Sequence, residues 1–253
     1  MTSRRQFLQG LSTIGAIACT GQKNGDTGID PIGLRAEEPA KWSPSAEVSN
    51  TLFPTGVQVG DVIAEQGFVS VQTTLEKVVW VLVVQSAMEW QEVQRGTVET
   101  VEGTVQLTLT DLIADSAYCL AFFDENETQR STVTRFRSGL ADEPRLLTFG
   151  ASSCMGGNRP WQSLTRAAED QLDFFLMLGD TVYTNARSYT TAWSDWKSAL
   201  RVQGFQDLSQ STSIIATWDD HELVNNFDWD LIEGAADIHA NAWKAFQKAI
   251  PFD

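Results

Sequence analysis

The sequence has little positive charge. Its 253 residues include 18 Lys and Arg against 33 Asp and Glu, which gives a formal net charge of −15. That charge repels nucleic acid and anionic lipid, so binding to either through a basic patch is not expected. It also repels a phosphate ester unless cations are bound at the site, so an activity on anionic substrates would favour a metal-containing protein.

Long apolar runs are also missing near the N-terminus, where Leu11–Ala18 is too short to cross a bilayer as a helix. It follows Ser3–Leu8, Ser-Arg-Arg-Gln-Phe-Leu, which resembles a twin-arginine export signal. Small residues then precede Cys19, as in a lipoprotein cleavage site, although Ala16 stands where Leu is usual. Residues 1–19 therefore predict export through the twin-arginine machinery to the periplasm or cell surface. Cys19 is then either lipidated or left unmodified after plain cleavage.

Composition divides the rest of the chain into three parts. Residues 20–47 are polar, without apolar periodicity, and are predicted to be a tether. Residues 48–138 contain short alternating apolar runs separated by glycines, which predicts an all-β sandwich. Within them, Leu107–Leu112 followed by Tyr118 resembles a fibronectin type III domain, whose tyrosine hydrogen-bonds back to the backbone as a latch. Residues 145–253 alternate between strand and helix patterns, so the predicted fold class is a β-sandwich followed by an α/β domain.

The α/β part begins as a βαβ unit. Buried-strand and helical periodicities predict strands at Leu146–Gly150, Phe174–Leu178 and Ser213–Trp218, and helices at about Trp161–Gln171, Thr191–Arg201 and Ala235–Ala249. The unbroken apolar run of the second strand predicts burial on both faces. Right-handed crossovers make the first two strands parallel neighbours, with their carboxyl ends at one edge of the sheet.

Metal-ligand residue types follow three of these strands. They are Cys154, Asp180 with Tyr183, and Asp219, Asp220, His221 and Glu222. Each has a plain structural explanation, since a cysteine packs, an acidic residue caps a helix and a lone histidine is often structural. Their convergence at one sheet edge is not predicted by those explanations and favours a metal site.

Four stretches resemble, in order, motifs of the PhoD-type alkaline phosphatases, a metallophosphoesterase family. They are Phe53–Asp61, Ser152–Cys154, Leu-Gly-Asp-Thr-Val-Tyr at Leu178–Tyr183, and Trp-Asp-Asp-His-Glu-Leu-Val-Asn-Asn at Trp218–Asn226. The last stretch is the most specific. The resemblance implies metal-dependent hydrolysis of phosphate monoesters or diesters outside the cytoplasm, with iron and calcium as cofactors.

The resemblance also implies a role for each matched residue. Cys154 and Tyr183 would ligate Fe(III), Asp180 would bridge iron and calcium, and Asp220 would bind calcium through a hard oxygen donor. His221 would face the phosphate as its positioner or proton donor. The two cations would neutralise the phosphate and activate a water molecule.

Around these ligands, Asp219, Glu222 and Asn225 are predicted to support the site or cap the following helix. The family pattern continues with a later Gly-Asp-x-His motif, whereas the only other histidine here, His239, has no such partner. The phosphatase domain is therefore expected to be truncated at its C-terminus. Two functions stay open: an exported phosphoester hydrolase, or a non-catalytic surface protein acting through its β-sandwich.

Overall fold

The computed structural model describes residues 40–141, 145–156 and 160–252, in which twelve strands form two six-stranded sheets. The strands are β1 Glu47–Val48, β2 Val57–Gly60, β3 Gly67–Gln72, β4 Lys77–Ser86, β5 Glu89–Glu99, β6 Thr104–Leu109, β7 Ala117–Phe123, β8 Gln129–Arg130, β9 Thr134–Arg137, β10 Phe149–Ser152, β11 Phe174–Leu178 and β12 Ser213–Thr217. The predicted export signal with Cys19, and the predicted tether up to residue 39, lie outside the described residues.

Within the described residues, four α-helices and one 3-10 turn accompany the later strands. They are α1 Gln162–Ala167, α2 Tyr189–Leu200, α3 Gln203–Ser209, the 3-10 turn Asp220–Glu222 and α4 Ala235–Ala249. The predicted bounds of α4 and of β11 are confirmed, whereas α1 ends four residues earlier than predicted and α3 was not predicted. Over the residues that the structure describes, no helix combines the length and the apolar character that a membrane crossing needs.

The first sheet has the order β1-β8-β7-β4-β5, with β9 also paired to β7. The second sheet has the order β10-β11-β12-β2-β3-β6. Strands β10, β11 and β12 are parallel neighbours, which confirms the predicted βαβ arrangement. Strand β2 joins β12 in parallel, with Gly60 opposite Ile214, and β3 and β6 follow in antiparallel.

The two sheets pack face to face over part of their area. Valine side chains of β2 and β3 meet apolar residues of β4, β7 and β9 in one core: Val57, Val59, Val69, Val71, Val78, Leu82, Val84, Val105, Leu109, Tyr118, Leu120, Phe122 and Phe136. The predicted tyrosine latch is present, because the Ile113 N–H donates a 2.6 Å hydrogen bond to Tyr118 Oη. The fibronectin type III assignment itself stays a prediction.

The second sheet runs through both predicted domains. Its seam needs a glycine, because a Cβ at Gly60 would lie 2.8 Å from the Ile214 carbonyl oxygen and closer still to that of Pro251. Both parts belong to one compact unit, Pro39–Asp253. The domain boundary predicted between residues 138 and 145 therefore lies inside this unit and stays a prediction.

The α-helices cover one face of the parallel strands, where Phe175, Met177 and Ile214 are buried. On the opposite face, Leu178 is 50% exposed and Phe149 is 52% exposed. The prediction that β11 is buried on both faces is therefore wrong. The reason is that the first sheet packs against β2, β3 and β6. The core between the two sheets therefore contains no side chain of β10 or β11.

Candidate metal centre

The carboxyl ends of β10, β11 and β12 lie together at one edge of the second sheet. Ser152 at the end of β10 is in register with Met177, and Leu178 at the end of β11 is in register with Thr217. The loops that follow these strands begin at neighbouring points. This arrangement brings the candidate residues after each strand into one cluster, as open α/β sheets do for their ligand sites.

Asp180 is the centre of this cluster, and its side chain meets three of the predicted residues. Its Oδ2 accepts from the Cys154 thiol at 3.4 Å and from the Tyr183 hydroxyl at 3.5 Å. Its Oδ1 lies 3.1 Å from His221 Nδ1. Asp180 itself is only 7% exposed. A thiol, a phenol, an imidazole and a carboxylate therefore converge on one point.

A second carboxylate adds to the negative charge there. Asp220 Oδ1 also lies 3.1 Å from His221 Nδ1. Ligand atoms of Asp180, Asp220 and His221 all lie within 4.8 Å of one another. Carboxylates that close repel one another when both are ionised, so a bound cation would relieve their repulsion.

The loop after β10 and the loop after β11 both contain residues with left-handed backbone. Cys154 and Asp180 are non-glycine residues with φ values of 56° and 55°, and Gly179, directly before Asp180, has φ of 99°. The loops are joined by hydrogen bonds from the Cys154 N–H to the Gly179 carbonyl and from the Met155 N–H to the Asp180 carbonyl. Left-handed backbone at non-glycine residues is often found at functional sites.

Glu222 and Asp219 face the backbone rather than the cluster. Buried Glu222 accepts N–H groups from Asp180, Thr181, Val182 and Asp219. Burial raises the pKa of Glu222, and these four donors oppose the rise by stabilising the carboxylate. Asp219 accepts from the Asp220 N–H and forms a capping box with Glu222 over the 3-10 turn.

Tyr183 is the most exposed aromatic side chain of the cluster, at 42%. Its ring lies 4.3 Å from that of His221, centroid to centroid. Desolvation, followed by the negative charge of Asp180 and of the Cys154 sulfur, raises the pKa of Tyr183. A nearby cation would reverse that influence and favour the phenolate.

Asn225 and its neighbour Asn226 are both exposed, and the supporting role of Asn225 stays a prediction. The Asn226 N–H donates a short hydrogen bond to Asp220 Oδ2. Asn226 adopts φ of 56°, a conformation that asparagine tolerates well. The Asn-Asn pair in the sequence was the available signal, but it does not reveal which asparagine turns the chain.

The side chains of the cluster provide a fuller set of ligands for iron than for calcium. Thiol, phenol and carboxylate side chains that meet at Asp180 form a donor set suited to Fe(III). Ca²⁺ takes about six to eight oxygen ligands. Asp180 and Asp220 would supply the carboxylates among them, so water, substrate or other oxygen atoms would have to complete the shell.

These features define a class: a mixed α/β fold with metal-ligand side chains at the ends of parallel strands. The structure of PhoD is similar to this chain, with a TM-score of 0.66 at 16% sequence identity. The similarity covers 83% of this chain and 47% of that of PhoD, so the chain spans about half the length of its structural relative. The chain therefore has a PhoD-like fold.

Similarities to isolated β domains are much weaker. The FN5 domain of Drosophila Lar is 13% identical, with a TM-score of 0.29 over 34% of this chain and 92% of that domain. The third fibronectin III domain of the human KIAA0343 protein is 13% identical, with a TM-score of 0.28 over 42% of this chain and 98% of that domain. No protein-family model matches the sequence, and no curated protein matches it.

Proposed function

We propose that the chain forms the metal-binding part of an exported phosphoester hydrolase, which acts on phosphate monoesters or diesters with iron and calcium. Cys154 and Tyr183 would hold the iron, Asp180 would bridge the two cations, and Asp220 would bind the calcium. Export by the twin-arginine route, with a lipid anchor at Cys19, belongs to the same proposal and rests on the N-terminal sequence.

One observation carries the proposal. Asp180 has a thiol at 3.4 Å, a phenol at 3.5 Å and an imidazole at 3.1 Å, at the ligand-binding edge of a PhoD-like fold. A turn or a helix cap would not need this combination of side chains. The surplus of acidic residues over the whole chain also favours cations wherever a phosphate is to be bound.

The cations, when bound, would neutralise the phosphate and lower the pKa of a water molecule. The protein residues contribute orientation and proton transfer. His221 Nδ1 lies 3.1 Å from Asp180 Oδ1 and from Asp220 Oδ1, so a proton placed on Nδ1 would lie between two carboxylates. This leaves Nε2 as the nitrogen for contact with a substrate oxygen, as positioner or proton donor.

The replacement Asp180→Asn tests the proposal. Asparagine keeps the shape of the side chain but lacks the charge and ligates hard cations poorly, so the variant should lose iron and calcium together. Hydrolysis should fall by several orders of magnitude, because charge neutralisation and water activation both fail. Elemental analysis measures the metals, and an aryl phosphate monoester and diester measure the activity.

Asp207→Asn is the matched control, since Asp207 is bonded to Thr165 and Gln203 and has no part in the cluster. It should keep both metals. An unaltered metal content in Asp180→Asn would mean that the site lies elsewhere. Wild-type protein that binds both metals but hydrolyses neither ester would overturn the enzymatic proposal in favour of a non-catalytic metal-binding protein.

A further inference from the structure

Glu222 is a buried carboxylate that accepts hydrogen bonds from four backbone N–H groups. It is 1% exposed. Its Oε2 accepts from the Asp180 N–H at 2.9 Å and from the Asp219 N–H at 2.8 Å. Its Oε1 accepts from the Thr181 N–H at 2.5 Å and from the Val182 N–H at 3.2 Å. One side chain thus holds the loop after β11 and the loop after β12.

The segment that Glu222 binds, Asp180–Val182, begins with a residue in the left-handed backbone conformation. Asp180 has φ of 55°, so consecutive N–H groups from Asp180 onwards turn toward one point, in the manner of an anion-binding nest. The backbone that directs the Asp180 side chain is the backbone that Glu222 binds. Capping of the 3-10 turn needs only the bond to the Asp219 N–H, so the other three bonds have a separate consequence.

We propose that Glu222 is a positioning residue, which fixes the direction of the Asp180 carboxylate and thereby sets the affinity of the metal centre. This inference rests on the proposed function where it concerns metal. It also makes a prediction about the metal-free protein, namely that the contact between Asp180 and His221 depends on Glu222.

The replacement Glu222→Gln separates shape from hydrogen bonding. Glutamine has nearly the same size, but one of its two acceptor oxygens becomes an NH2 group. Two of the four N–H groups would then face a donor, and the loop of Asp180 should leave its left-handed conformation. Loss of a residue that orients a metal ligand typically lowers metal affinity about 10- to 100-fold.

The control is Asp173→Asn, which removes another buried carboxylate. Asp173 precedes β11, at the opposite end of the strand from Asp180, and accepts from the Thr148 N–H and from Arg145, each at 2.8 Å. It should lower stability without affecting the cluster. Glu222→Asp keeps the charge with a shorter side chain, and it should retain part of the metal affinity if Glu222→Gln fails to fold.

Two measurements are made on the full chain. Without metal, NMR records the ¹⁵N shift of the His221 ring and the amide exchange of Asp180, Thr181 and Val182. With Fe³⁺ alone as the probe, a titration follows the charge-transfer absorption of a phenolate bound to iron. Glu222→Gln should change the His221 shift, speed exchange at the three amides and lower iron affinity about 10- to 100-fold.

The failures are distinguishable. Wild-type protein that binds no iron would overturn the proposed function, and the metal-free NMR measurement would still decide the role of Glu222. An unchanged His221 shift in Glu222→Gln would overturn the positioning role. The same shift change in Asp173→Asn would also overturn it, because the effect would then follow from general destabilisation.

Discussion

Gly179 joins β11 to Asp180, and replacing it by alanine tests how closely the two loops of the site approach each other. An added Cβ would lie 2.7 Å from Asp219 Cβ, 2.8 Å from Asp219 N and 3.1 Å from the Trp218 carbonyl carbon. Two of those three atoms are backbone, so no flexible side chain can move aside. Gly179→Ala should therefore push apart the loops that carry Asp180 and Asp220.

The expected loss of stability has two sources. The φ of 99° at Gly179 is one that other residues rarely adopt, and such strain costs about 1–3 kcal/mol. Overpacking against a fixed neighbour typically costs another 1–3 kcal/mol or so. The free energy of unfolding should thus fall by about 2–6 kcal/mol, a large part of the roughly 5–15 kcal/mol that domains have. Metal affinity should fall as well, because the carboxylates separate.

Urea unfolding followed by tryptophan fluorescence measures the change, with Gly234→Ala as the control. Gly234 has φ of 75°, and a Cβ there would meet no atom within 4 Å. The control should lose only the strain contribution of about 1–2 kcal/mol. Equal losses in the two variants would refute the close approach of the loops. Iron binding that survives Gly179→Ala unchanged would refute the link between loop spacing and the metal centre.

The remaining predictions concern His221 and the N-terminus. His221→Ala should keep iron and calcium but lower the hydrolysis rate about 10²- to 10⁴-fold, as expected for a lost proton donor; loss of a metal on elemental analysis would instead make His221 a ligand. Replacement of Arg4 and Arg5 by lysine should block export, because the signal resembles the twin-arginine type; unchanged delivery in cell fractionation would reject that signal.

The sequence predicted the parallel strands, and the bounds of β11 in particular, for a physical reason, whereas β10 lies at Phe149–Ser152 rather than at the predicted Leu146–Gly150. Phe174–Leu178 is an apolar run that stops at a glycine, and the strand has those bounds in the structure. Helix α3 was missed because Gly204 and Ser209 weaken its pattern. The structure explains the glycine: a Cβ at position 204 would collide with the backbone carbonyls of Pro160 and Trp161. Such a contact between distant segments leaves no local pattern in the sequence.

The candidate residues could be named from the sequence because each follows a strand of one sheet edge. Their partners could not be named, since hydrogen bonds depend on loop conformation. The backbone N–H of Asn226 reaches Asp220, and Glu222 binds the backbone of two loops rather than of one turn. Burial of β11 was overestimated because an apolar run does not show how far a second sheet extends, and Leu178 is half exposed.

The backbone strain and the charge repulsion within the cluster cost free energy, and this cost is relevant to the function of the cluster. Cys154 has left-handed backbone, which costs roughly 1–3 kcal/mol, and Asp180 has the same conformation at a lower cost because aspartate tolerates it. Two carboxylates also share one imidazole nitrogen at 3.1 Å. Hydrogen bonds from the loops to Glu222 offset part of this cost and keep the carboxylates in place. A binding partner of positive charge would turn the same repulsion into affinity, which a turn or a helix cap would not do.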